Sequence, residues 1–208
     1  MGRSISCGCL ALMAWFLVAG PAPVAMALEA SVSVGTGHFM TLQPDGDHAS
    51  TWPLKIGNVE ALTVKLVAVF GDQAKKCSTI THSWPKNKTD EAEIVLLYKR
   101  QTKEQIIPSL GFHAGAGAGK SEAGGVKVKG NYLGGVRATA DRALSPNEEF
   151  LLEFAFVADE DGEKQFRHSV KDIAAMKELK TLKDVTAWAK KNPKVTVIVL
   201  TVSWLPTK

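Results

Sequence analysis

The sequence predicts an α+β fold, mainly an antiparallel β-sheet or sandwich with two short helices before the C-terminal strand. Three observations support this prediction. Apolar and polar residues alternate with a period of two in several separate segments, which is typical of half-buried strands. A stretch with helical spacing of apolar residues comes late in the chain, and a segment rich in β-branched residues follows it. We expect roughly seven or eight strands in one domain.

The N-terminal segment has the pattern of a secretory signal peptide. Arg3 provides a basic start, residues 5–19 are mostly apolar, and Ala25-Met26-Ala27 places small residues at a cleavage site. We predict that residues 1–27 are the signal peptide and residues 28–208 a single β-rich domain. The apolar run is too short for a lasting membrane span, so no transmembrane segment is expected after cleavage. The mature protein should be secreted, to a periplasm or a cell surface.

Four segments in the first half of the mature chain are predicted strands. Alternation at residues 32–34 begins the domain, and residues 62–70 give the clearest half-buried strand. The continuous apolar run Ile94–Tyr98 suits a strand covered on both faces. Pro108 cannot donate a backbone hydrogen bond, so it should confine the strand at Gln105–Leu110 to an edge or a bulge.

A later strand carries alternating aromatic residues. Phe150, Leu152, Phe154 and Phe156 should share one face of this strand and form much of the core. The acidic sequence Asp159–Gly162 is typical of a hairpin loop, so we predict a partner strand near residues 165–168.

Two short helices are predicted between this hairpin and the last strand. Ser169 and Thr181 each precede an aspartate by three residues, which is a weaker form of the capping box. After Thr181, apolar residues recur at three- and four-residue spacing, and lysines fill the other positions. A lysine-rich amphipathic helix with a tryptophan can lie on an anionic membrane. Packing on a sheet is the preferred interpretation, because the helices are short. Residues 194–204 should then form a central final strand.

Half of the glycines lie between Gly111 and Gly135. Within this stretch, Ala114-x4-Gly119-Lys120-Ser121 matches a loose form of the phosphate-loop pattern, which requires a helix to follow. Alternation around residues 126–128 predicts a strand instead, so no nucleotide binding is expected. The stretch is better explained as a surface loop or hairpin. His113 and Lys120 are its candidate binding residues.

The histidines and the remaining cysteine suggest a second kind of site. Removal of the signal peptide leaves Cys77 alone, so the mature chain has no intramolecular disulfide. Thiolate, imidazole and thioether groups are ligands that copper accepts, and the candidate ligands are His38, Met40, His48, Cys77 and His82. The spacing of this set faintly resembles the ligand residues of blue-copper proteins, although no methionine follows His82. The alternative is a buried cysteine with surface or hydrogen-bonded histidines.

Composition and motifs limit the remaining functions. The chain is 45% hydrophobic and 22% charged, which is typical of a globular domain. Its net charge of +4 comes from dispersed lysines without interleaved aromatic residues, so nucleic acid is not an expected partner. No nucleophile-elbow or metalloprotease pattern is present, and we expect a non-enzyme. The predicted function is recognition of an envelope protein or glycan, and the alternative is copper binding.

Overall fold

A computed structural model describes residues 29–42, 47–86, 88–102, 104–115, 120–123, 126–130, 132–137, 142–168 and 179–207. Within these ranges the chain forms two antiparallel sheets that pack face to face, with two helices beside the second sheet. The predicted fold class is confirmed. The predicted signal peptide and most of the helix predicted after Ser169 lie outside the described residues. No helix in the described ranges is long and apolar enough to cross a membrane.

Sheet A contains eight of the described strands, which are β1 (Ser31–Val34), β2 (His38–Leu42), β3 (Asp47–Gly57), β6 (Thr89–Thr102), β7 (Gln105–Ala114), β8 (Lys120–Ala123), β9 (Val128–Lys129) and β11 (Arg142–Leu144). Their order is β11-β1-β3-β6-β7-β8, with β2 also beside β3 and β9 also beside β7. Sheet B has the order β10-β12-β13-β4-β5, and its strands are β4 (Val59–Phe70), β5 (Gln73–Ser83), β10 (Tyr132–Arg137), β12 (Phe150–Ala158) and β13 (Val195–Pro206).

The main core lies between the two sheets. Alternate residues of β3 and β6 face alternate residues of β4 and β13, and the buried set includes Trp52, Leu54, Ile94, Leu96, Tyr98, Leu62, Val64, Leu66, Ile198, Leu200 and Val202. The alternation predicted for residues 62–70 is confirmed over residues 62–66, whereas Val67 and Val69 are buried on the opposite face and Phe70 is exposed. On β6 the prediction of a strand covered on both faces is wrong, because Val95 and Leu97 remain half-buried on the outer face.

Pro108 lies where β7 changes partner. One side of β7 pairs continuously with β6, and Pro108 lies opposite Tyr98. On its other side, β9 pairs with residues 105–106 and β8 with residues 109–112. Pro108 thus falls in the gap between two short partner strands, where a missing N–H costs least. The predicted edge or bulge is wrong for β7 as a whole, which has partner strands on both sides.

A bulge in β12 changes which face each aromatic residue occupies. The pairing with β13 shifts between Leu151 and Glu153, so Leu152 is an extra residue. Phe150 and Leu152 pack on the main core, whereas Phe154 and Phe156 pack on the opposite face, beneath the helices. The prediction that these four side chains share one face is therefore wrong.

The same bulge directs Glu153 into the space between the sheets. Its carboxylate accepts hydrogen bonds from Trp52 Nε1 at 2.8 Å and from the Tyr98 hydroxyl at 3.2 Å. All three side chains are almost wholly buried. Burial, together with the neighbouring Glu153 carboxylate, raises the pKa of Tyr98 well above its usual value. The tyrosine therefore remains a hydrogen-bond donor at neutral pH.

The segment after β12 is a helix, α1 (Glu160–His168), so the predicted hairpin loop and partner strand are wrong. Asp159 caps this helix, because its Oδ1 accepts a hydrogen bond from the Gly162 N–H at 2.9 Å. Three acidic residues in the first turn also favour a helix N-terminus. A Cβ at Gly162 would lie only 2.6 Å from the Lys194 carbonyl oxygen, so the helix start fits against the chain only with glycine there.

The second predicted helix is present as α2 (Leu182–Lys191). Thr181 and Asp184 form a reciprocal capping box, as the sequence predicts. The buried residues of α2 are Val185 and Ala189, and they pack on the outer face of sheet B with Trp188 partly buried beside them. β13 follows and lies between β12 and β4, so the prediction of a central final strand is also confirmed.

Candidate functional site

The candidate site is an open cleft of about 690 Å³ on the outer face of sheet A. It crosses the ends of β1, β3 and β6, and it reaches the first residue after β7, Gly115. Strand register places its side chains in two short rows, since directly opposite residues in antiparallel strands share a face. One row is Ser33, Lys55 and Glu91, and the next is Ser31, Gly57 and Thr89.

Two glycines give the cleft its depth. Gly57 lies in the middle of the second row, and its missing side chain leaves a gap between Ser31 and Thr89. A Cβ at Gly57 would lie 2.9 Å from the Ser31 hydroxyl oxygen. Gly115 has a φ of +60°, and a Cβ there would lie 3.1 Å from Asp90 Oδ1. The start of the glycine-rich stretch therefore closes tightly over one end of the cleft, which only glycine allows without strain.

The polar groups of the cleft are arranged for contact with solvent or a ligand. The exposed side chains of Lys55 and Glu91 lie on neighbouring strands, and neither charged group has an ion-pair partner among the described residues. The hydroxyl groups of Ser31, Ser33 and Thr89 surround them. This arrangement provides a cation, a carboxylate and three groups that both donate and accept hydrogen bonds.

Asp90 anchors the cleft to the interior. Its carboxylate accepts a hydrogen bond from Trp84 Nε1 at 2.9 Å and pairs with the Lys88 ammonium at 3.3 Å. Burial alone would raise the pKa of Asp90, but the bonds from Trp84, Lys88 and the Glu91 amide outweigh it and hold the pKa below its usual value. Asp90 is therefore ionised at neutral pH and fixes the position of the strand end.

The two binding residues predicted from the glycine-rich stretch lie near this cleft or beside it in the sheet. His113 is exposed on β7 opposite Glu93, in the row next to that of Lys55 and Glu91. Rows on one face are about 7 Å apart along a strand, and His113, whose ring lies toward Gly111, is not among the residues that line the cleft. Lys120 begins β8 and pairs with Phe112, and its side chain lies outside the described part. Lys120 itself lies in a strand, and the strand predicted near residues 126–128 is present as the short β9, where a phosphate loop would need a helix.

The predicted copper ligands on β2 and β3 do not converge. His38 lies opposite Thr51, and His48 lies opposite Thr41, so the two histidines are on opposite faces of this strand pair. Met40 lies opposite Ala49. His48 stacks on Phe39, with ring centroids 5.5 Å apart. Burial and the nearby Arg100 cation lower the pKa of His48, which favours the neutral imidazole.

Cys77 and His82 are on β5, in the other sheet. Cys77 lies at a bulge and is half-buried, and its thiol donates to the Lys75 carbonyl oxygen at 3.7 Å. Burial raises the pKa of the Cys77 thiol, so the thiolate that copper binds is disfavoured. The His82 ring packs against Trp84 and Phe112, with centroid distances of 4.4 Å and 5.6 Å. His82 thus helps to join the two sheets.

No metal-binding group of three or more histidine, cysteine, aspartate or glutamate residues occurs in the part of the chain that the structure describes. The sequence prediction of copper ligands remains a prediction, since residues outside that part belong to the chain as well. What the described residues do bring together is the polar cleft. Sequence reasoning did not identify its serines, threonine and lysine, because such residues are ordinary on the solvent face of a strand. The one available signal was Gly57, which ends β3, a strand that was not predicted from the sequence.

Comparison of the chain with protein-family models, with curated proteins and with solved structures gives no match in any of the three.

Proposed function

We propose that this protein is an exported, non-enzymatic binding protein of the cell envelope, and that its cleft on sheet A recognises a glycan. The observation that carries the proposal is the composition of the cleft: three hydroxyl groups around a glycine floor, with one ammonium and one carboxylate that have no ion-pair partner among the described residues. Sites for small drug-like molecules are mostly apolar and enclosed. A polar, open cleft suits an extended polar chain that passes across the surface.

The position of the cleft favours a glycan over a peptide strand. Extended peptides usually bind by adding a strand to a sheet edge, where backbone groups are free. β3 and β6, which form the centre of this cleft, have neighbours on both sides, so their backbone groups are already used in ladders. A ligand must therefore bind through side chains. Hydroxyl and charged side chains complement the many hydroxyl groups of a sugar chain.

The Gly57→Val variant tests the cleft directly. We expect its affinity for the bound oligosaccharide to fall about tenfold or more, because the added side chain fills the floor between Ser31 and Thr89. The fold should tolerate the change, since the atom nearest to the new Cβ is a serine hydroxyl that can rotate away. Screening on an immobilised oligosaccharide array would identify the ligand, and titration calorimetry would then compare the affinities.

Thr81→Val is the matched control for this experiment. Thr81 is exposed on β5 in sheet B, on the sheet that does not contain the cleft, and the substitution replaces its hydroxyl, which is 3.1 Å from the Thr63 hydroxyl, by a methyl group. It should bind the oligosaccharide like the unchanged protein. A Gly57→Val variant that is folded and binds with unchanged affinity would contradict the proposed site. Failure to bind any oligosaccharide would contradict the proposed function.

The alternative function, copper binding, has a separate test. Because the described ligand candidates lie on two sheets and on opposite faces of one hairpin, we expect no stoichiometric retention of metal. The protein would be loaded with Cu(I) or Cu(II), desalted and analysed for metal content. Retention of one metal ion per chain, lost in a His82→Ala or Cys77→Ser variant, would favour metal handling over recognition.

A further inference from the structure

The net charge of this protein is concentrated in one short segment. Residues 179–194 contain five lysines and one aspartate, a net charge of +4, which equals the formal net charge of the whole chain. From totals of 25 basic and 21 acidic residues, the rest of the chain therefore keeps twenty of each and is neutral. Lysines are spread along the sequence, and outside residues 179–194 the acidic residues offset the basic ones in total, although not in every segment.

Helix geometry collects these charges on one side of α2. With 3.6 residues per turn, Lys183, Lys190 and Lys191 fall within about 100° of the helix circumference, opposite Val185 and Ala189. The three lysines are exposed, whereas the two apolar residues are buried against sheet B. Lys180 and Lys194, just outside the helix ends, are exposed as well. We call the five lysines the basic ridge.

Among the residues that the structure describes, few acidic groups compensate the ammonium groups of the ridge. The carboxylate of Asp184 accepts hydrogen bonds from the Thr181 hydroxyl at 2.8 Å and from the Thr181 N–H at 3.0 Å, so it is held in the helix cap. These bonds lower the pKa of Asp184. Only Lys194 has an ion pair with a described residue, at 3.4 Å from Asp161, and both side chains are more than half exposed. Such an exposed pair stabilises the fold little.

We propose that the basic ridge binds the anionic headgroups of a membrane surface, with α2 remaining packed on its sheet. Charge complementarity is the basis, because several uncompensated lysines near an anionic surface act together. The apolar face of α2 is not available for insertion, since Trp188 packs edge-on against Phe156 with centroids 5.1 Å apart. The binding is therefore electrostatic and reversible, and it differs from that of an inserting amphipathic helix.

A membrane fits the ridge better than a soluble polyanion does. The lysines project from the outside of a helix, so they form a convex surface that meets a broad layer of charges and does not enclose one ligand. No exposed aromatic side chain lies among the residues of α2 to stack on a nucleic-acid base. This proposal is independent of the glycan cleft, which lies on the other sheet.

The test is co-sedimentation of the purified protein with lipid vesicles. We expect binding to phosphatidylcholine vesicles that contain about 30% phosphatidylglycerol, and no binding to pure phosphatidylcholine vesicles. Raising the salt concentration from about 0.05 M to about 0.5 M should release the protein, because screening shortens the range of the attraction. Replacement of two ridge lysines, Lys183→Gln with Lys190→Gln, should weaken binding about 25-fold, at about fivefold for each lysine.

Two matched variants distinguish the effect of the ridge on vesicle binding from the effects of net charge and of the cleft. Lys99→Gln with Lys127→Gln removes the same charge from sheet A and its neighbouring loop, and it should leave vesicle binding within about twofold. Gly57→Val should leave vesicle binding unchanged. The proposal is overturned if anionic vesicles are not bound, or if both double variants lose binding equally. It is also overturned if the protein binds soluble heparin but not the vesicles.

Discussion

Replacing Glu153 by alanine should lower the free energy of unfolding by about 3 kcal/mol. The carboxylate accepts hydrogen bonds from Trp52 and Tyr98 at the centre of the sandwich. Alanine would leave both donors buried without an acceptor, and it would leave a cavity between the sheets. Relief from burying a carboxylate offsets part of this cost. Equilibrium unfolding in urea would measure the change.

Glu153→Gln is the matched control for the first prediction. Glutamine keeps the size of the side chain and one carbonyl acceptor, so its cost should be about 1 kcal/mol. The difference in free energy of unfolding between the two variants measures the cost of the unsatisfied donors and the cavity. An alanine variant as stable as the glutamine variant would show that the three buried groups do not hold the sheets together.

Replacing Gly130 by alanine should cost at least about 3 kcal/mol of stability. This glycine follows β9 and donates its N–H to the Glu104 carbonyl oxygen at 2.7 Å. A Cβ at this position would lie 2.6 Å from the Ala158 carbonyl oxygen and 2.7 Å from Val157 Cγ1. Because Ala158 presents backbone atoms of a buried strand, no side-chain rotation relieves the clash. The chain must move instead.

Gly71→Ala distinguishes this clash from backbone strain. Gly71 has a positive φ, of +57°, but a Cβ there would meet no atom within 4 Å. Its replacement should cost only about 1–2 kcal/mol, the usual penalty for an ordinary residue in the left-handed region. Thermal and urea unfolding of both variants would measure the two costs. Equal costs would contradict the close approach of Gly130 to β12.

The sequence predicts best those elements that depend on local patterns. Alternation identifies β4, because only one of its faces meets the main core along most of its length. The capping box at Thr181 and the apolar spacing after it identify α2, because both features are complete within a few residues. β13 is recognised by its β-branched composition, which suits a strand buried on both faces.

Predictions from local patterns are wrong where contact with a distant segment determines the structure. The acidic residues after β12 suit a hairpin loop and a helix N-terminus equally well. In the structure they begin α1, whose Gly162 packs closely against the backbone of Lys194. Alternation along β12 does not reveal the extra residue at Leu152, since the bulge is defined by the pairing with β13. The cleft was missed for the same reason: its two rows exist only once β1, β3 and β6 lie side by side.

The sequence by itself determined that the domain is built mainly from antiparallel strands, where its strongest strands lie and how α2 begins. Period-two alternation and helix capping operate between residues a few positions apart, so they can be found without knowledge of the partner strands. The tertiary structure alone decided that Glu153 enters the core and that Gly57 forms the floor of a polar cleft. Each of these depends on register between segments distant in the chain, and a shift of one residue would turn the side chains to the other face.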